Sequence, residues 1–196
     1  MPGQGHSAGL VMQVYLIIVG LAFGFSIQAF VENPVTAGSV LRLVAMFVLL
    51  SEWLHGQIGY EDSPTYEVGG GWMPRLAEHY VELIAVALLM AAALVLERER
   101  PFVILVTLTY AVDAALEFTY LHRTRVVTES HSQERSVARS WSLMDMVALA
   151  LLVPLVAIDL IGVTSEPFSS IGLLAVVLAI ALWDYSSNRS FYFGLE

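Results

Sequence analysis

The chain has 196 residues, 57% of them hydrophobic and 14% charged, with a net charge of −9 and a mean hydropathy of +0.71. So little polar surface cannot cover a water-soluble globule; the balance reads as an integral membrane protein with no room for a separate catalytic domain. All nine basic residues are arginine, cysteine is absent and the pI is near 4.9, which excludes disulfides, thiolate chemistry, cysteine-bound metal and a lysine Schiff base, and argues against a nucleic-acid partner.

The first apolar run covers about residues 10–30 and contains Gly20-x-x-x-Gly24, a spacing that lets a second helix approach closely. The segment ahead of it, Met1-Pro-Gly-Gln-Gly-His-Ser, lacks the basic start of a signal peptide, so the run is expected to remain as a span. Glu32-Asn33-Pro34 ends it, because proline biases its predecessor away from helix. The second run, 37–54, carries Arg42 near its start and Glu52 near its end. Arg42 is expected to snorkel to the interface, with a buried pair to Asp159 as the sharper alternative. A connection rich in Gly, Tyr, Pro and acid follows, with glycines at 69–71.

Runs three and four, 78–96 and 101–121, flank the charged cluster Glu97-Arg98-Glu99-Arg100 and read as a hairpin that turns at one membrane face. The link 122–140 is the one strongly basic stretch. Run five, 141–163, contains Pro154, which removes a backbone hydrogen bond and is expected to kink the helix. Run six, 168–185, is followed by Phe191-Tyr192-Phe193, aromatics suited to the headgroup layer. At about 1.5 Å per residue, about 20 residues cross a hydrocarbon core of about 30 Å. The expected fold is therefore all-α, a polytopic bundle of six transmembrane helices forming one domain over residues 1–196.

The hairpins resemble one another. Glu82-Leu-Ile-Ala-Val-Ala-Leu-Leu matches Asp145-Met-Val-Ala-Leu-Ala-Leu-Leu, and Gln13-Val-Tyr-Leu-Ile-Ile-Val-Gly is a weaker third copy. In each second helix an acid precedes an aromatic: Glu52-Trp53, Glu117-Phe118 and Asp184-Tyr185, about 65 residues apart. The two stronger copies also resemble the first helix of the lysosomal-type potassium channels. The Phe-Ser that precedes the acid in that family is replaced by Leu143-Met144 and Tyr80-Val81.

Orientation follows from the arginines. With the N-terminus in the cytoplasm, Arg75, Arg123, Arg125, Arg135, Arg139 and Arg189 lie inside and Arg42, Arg98 and Arg100 outside, six against three. The expected location is the inner (cytoplasmic) membrane, with both termini cytoplasmic. Glu52, Glu82, Glu117, Asp145 and Asp184 then form one layer about a turn inside the cytoplasmic face, with Gln13 as the amide counterpart. Asp113 lies deeper, near the middle of its span, where a charge costs a few kcal/mol unless it is paired, protonated or hydrated. Thr107, Thr109 and Tyr110 are its polar neighbours on the same helix. These acids are the expected ion or proton pathway.

Glu52-x-x-His55 and His79-x-x-Glu82 also place an imidazole and a carboxylate on one helix face, so His55 and His79 are candidate metal ligands, although two true Glu-x-x-His motifs are not present. The sequence names no cofactor and no catalytic residue. Conduction or exchange of a small cation or proton by a homo-oligomer in the lipid bilayer is the leading expectation. A non-enzymatic subunit serving a protein partner through loop 122–140 is the alternative, and a membrane metalloenzyme the third.

Overall fold

A computed structural model describes residues 5–61, 72–123, 132–163 and 165–189, with side chains described for 13–14, 16–56, 80–121, 136–163 and 165–189. These residues form six helices and no strand: α1 (Gly5–Glu32), α2 (Ala37–Glu61), α3 (Trp72–Leu94), α4 (Glu99–Arg123), α5 (Ser132–Leu160) and α6 (Phe168–Ser187). The glycines at 69–71, together with Arg125 and Glu129, lie outside the described residues.

Local chemistry sets the ends. Thr36 caps α2 reciprocally: its Oγ1 accepts from the Ser39 amide at 3.0 Å while its own amide donates to Ser39 Oγ at 2.9 Å. α3 closes in a turn at 95–97, so Glu99 and Arg100 belong to the first turn of α4 instead of to the loop. α5 is closed just past Leu160 by Gly162, whose φ of 72° is one that L side chains rarely adopt. There the Val163 amide reaches the Ile158 carbonyl and the Gly162 amide the Asp159 carbonyl, the two bonds of a Schellman motif. α5 is continuous through Pro154 and starts nine positions before the expected 141, so much of the basic link is helix.

Consecutive helices pair as hairpins, α1 with α2, α3 with α4, and α5 with α6. The hairpins are joined by packing of α4 on α5, α2 on α6 and α1 on α3. Met46, Leu89, Leu96, Phe102, Val106, Met144, Leu152, Leu173 and Val177 fill the centre. Among the described residues four helices are long and apolar enough to cross a membrane: Ala37–Gly56, Glu99–Leu121, Ser136–Leu160 and Phe168–Ser187. Their hydropathies run from 1.6 to 2.2 although only 33–44% of each span is buried. A helix apolar on its outer side as well as its inner side needs lipid around it. The described apolar parts of α1 and α3, Leu16–Glu32 and Tyr80–Leu94, are shorter, so span length supports four crossings where the sequence suggested six.

Candidate functional site

The bundle has two polar ends. At the end formed by the start of α2, the α3–α4 turn and the α5–α6 connection, Arg42 is 1% exposed. Its Nε donates to the Leu96 carbonyl at 2.6 Å, Nη2 to the Glu97 carbonyl at 3.0 Å and Nη1 to Ser170 Oγ at 2.9 Å. Ser170 in turn donates its hydroxyl and its backbone amide to Glu99 Oε1, at 2.8 and 2.7 Å, which satisfies an otherwise orphan amide in the first turn of α6. Both expectations for Arg42 are therefore corrected. It does not snorkel, because the carbonyls that end α3 supply acceptors inside the bundle, and its acid is Glu166 at 3.3 Å. Asp159 pairs instead with Arg100, at 3.4 Å.

The other end is acidic. The later turns of α2, the middle and later part of α4, the first half of α5 and the end of α6 surround a cavity of 140 Å³. Glu52, Asp113, Glu117, Asp145 and Asp184 line it, together with Trp53, Trp141, Tyr110, Thr109 and an apolar remainder that includes Leu49, Leu116, Met144 and Ile180. Helical period explains the set. Residues 49, 52, 53 and 56 of α2, and 109, 110, 113, 116 and 117 of α4, repeat at three and four and so share one face. Among the described residues no basic side chain lines the cavity.

The carboxylates are held differently. Asp184 is buried and its Oδ1 accepts from Trp141 Nε1 and from Asn188 Nδ2, each at 2.6 Å. Glu52 Oε1 and the Tyr110 hydroxyl are buried with no hydrogen-bond partner among the described residues. Tyr110 is 6% exposed and forms part of the cavity wall.

Of the six acids expected in the pathway, the cavity unites five; Glu82 is half-buried on α3, whose one lining residue is Leu89. Gln13 is exposed on α1. Thr109 is in the wall beside Asp113, but Thr107 is not, and both hydroxyls bond their own helix, Thr107 to the Val103 carbonyl and Thr109 to the Leu105 carbonyl. Of the aromatics that follow an acid, Trp53 lines the cavity, Phe118 is exposed and Tyr185 turns to His55.

His55 is exposed, with Nδ1 2.8 Å from the Ser51 carbonyl and 2.9 Å from the Tyr185 hydroxyl. Its ring meets Tyr185 edge-on at 5.6 Å, and it is not among the residues that line the cavity. The side chain of His79 lies outside the described residues. Among the described residues no three of His, Asp and Glu come together as metal ligands. Sequence reasoning missed Trp141 as a partner of Asp184; an aromatic at the start of α5 gives no sign that its indole reaches across to α6. Searches of family models, curated proteins and solved structures find no match to this chain.

Proposed function

We propose that the protein conducts or exchanges a small cation or proton across the inner membrane, through the acidic cavity. One observation carries this reading: five carboxylates from four helices line a single cavity that, among the described residues, no basic side chain lines. Negative charge at membrane depth calls for a counter-charge, and a mobile cation or proton supplies it. The four helices that contribute the acids are also the four long and apolar enough to span.

In this reading α1 and α3 complete six crossings, each being joined to a spanning helix by a short connection, at 33–36 and at 95–98. The acidic end faces the cytoplasm. Arg42 is buried in the bundle, so it no longer counts as an outer charge, and the arginine balance becomes six inside against two outside (three less Arg42). The protein works as a homo-oligomer. Gly20 and Gly24, exposed on α1 with no described residue within 4 Å of a Cβ built there, support a contact between copies.

The test is flux. Purified protein in liposomes should dissipate an imposed potassium, sodium or proton gradient faster than empty liposomes do, and Glu52→Gln with Asp145→Asn should slow it at least tenfold. Native protein that passes none of these ions would overturn the reading.

A further inference from the structure

We propose that the acidic cavity takes an alkylammonium ion, a nitrogen bearing both N–H donors and alkyl groups, in preference to a bare metal ion. This names the cation for the function proposed above and rests on that reading for its movement, though not for its binding.

A metal ion of the hard kind gathers several oxygen ligands at about 2.0–2.6 Å from one point. Five carboxylates line this cavity, yet among the described residues no three come together as such a ligand set. Their charge is spread around a wall whose intervening surface is aromatic and aliphatic. A metal ion placed there would keep most of its water and gain nothing from that surface. A substituted ammonium carries its charge over a larger body and is drawn both to dispersed carboxylates and to the faces of tryptophan and tyrosine. Trp53, Trp141 and Tyr110 supply such rings.

Tyr110 gives the second, independent sign. It is 6% exposed, and its hydroxyl reaches no hydrogen-bond partner among the described residues although it belongs to the cavity wall. Glu52 Oε1 is in the same condition on the helix across from it. A buried hydroxyl and a buried carboxylate oxygen that both lack partners are acceptors for N–H donors. At 140 Å³ the cavity has room for several water-sized groups, so an ion of a few heavy atoms fits without its hydration shell.

The experiment is equilibrium binding of radiolabelled dimethylammonium to the purified full chain in detergent, where no gradient is needed. Binding should saturate, and sodium chloride at equal ionic strength should not displace it. Tyr110→Phe, which keeps the ring and removes the acceptor, should weaken binding about tenfold. Trp53→Leu should weaken it at least about threefold. No saturable binding to the native protein, displacement by sodium at equal concentration, or unchanged affinity in Tyr110→Phe would each overturn the proposal. Metal-ion or proton flux in liposomes without dimethylammonium binding would overturn it and leave the transport reading standing. Binding as expected without flux of any cation would uphold it and remove transport.

Discussion

Trp141 on α5 donates its indole N–H to Asp184 on α6 at 2.6 Å, and this one bond fixes a cavity carboxylate across a helix boundary. Asn188, a turn further along α6, holds the same oxygen at 2.6 Å. Asp184 is thereby a positioned carboxyl group, whereas Glu52 keeps an oxygen without a partner among the described residues. Trp141→Phe preserves the ring and deletes the donor. It should cost about 1–2 kcal/mol, the range for a hydrogen bond to a charged group reduced by what Asn188 retains. Reversible unfolding in mixed micelles would measure it, and a loss below about 0.3 kcal/mol would show that the bond is not needed.

How far the sequence foretold this site can be read from individual residues. Glu52, Glu117 and Asp184 are recognisable as an acid near the end of each hairpin's second apolar run, and Asp145 as one near the start of the fifth run; a 3.6-residue period then fixes which neighbours share their face. What the period does not fix is the rotation of one helix against the next. Glu82 has a matching sequence context to Asp145, yet packing turns α3 so that it offers Leu89 to the cavity. Arg42 was misread for a related reason. The carbonyls of Leu96 and Glu97 that hold it lie 54 and 55 positions away, and its acid, Glu166, lies outside any helix. Choosing between snorkelling and burial needs those acceptors in space.

Arg42→Met should be severely destabilising, by about 3 kcal/mol or more, because it strips a buried hydrogen-bonded network of its guanidinium and leaves two carbonyls without that partner. Glu166→Gln should cost under about 1 kcal/mol, since that carboxylate is 52% exposed and its bond to Arg42 is the longest of the four. Thermal aggregation of the two variants in the same detergent would check the order; equal losses would mean that the ion pair, not the carbonyl capping, holds this end.

Gly38 and Gly24 should respond oppositely to a methyl group. A Cβ at Gly38 would lie 3.0 Å from Arg42 Nη1, an atom held by its own bonds to Ser170 and Glu166, so the guanidinium cannot yield freely. Gly38→Ala should lose about 1 kcal/mol net, overpacking outweighing the helix propensity gained. Among the described residues nothing lies within 4 Å of a Cβ at Gly24, so Gly24→Ala should be neutral or gain up to about 1 kcal/mol in the monomer. Gly24→Leu should lower the oligomeric state without unfolding the chain, as read by light scattering in detergent. An unchanged mass would remove α1 as the surface between copies.

Asp113→Asn is the variant that separates a working site from a packing role. Asp113 lies on the α4 face between Tyr110 and Glu117, inside a wall shared with Glu52, Asp145 and Asp184. Asparagine fills nearly the same volume and still makes hydrogen bonds, but it cannot carry the charge. Burying an amide costs less than burying a carboxylate among carboxylates, so the fold should be unharmed, with stability unchanged or raised by about 1 kcal/mol. Cation flux in liposomes should nevertheless fall at least about tenfold, while Glu32→Gln, an exposed acid at the far end of α1 that only accepts from Gln28, should leave flux as it was. Stable Asp113→Asn protein with native flux would remove Asp113 from the pathway. A loss of flux matched by a loss of fold, seen as a lower unfolding temperature, would assign the residue to packing, because a transported charge and a structural one differ in whether stability follows activity.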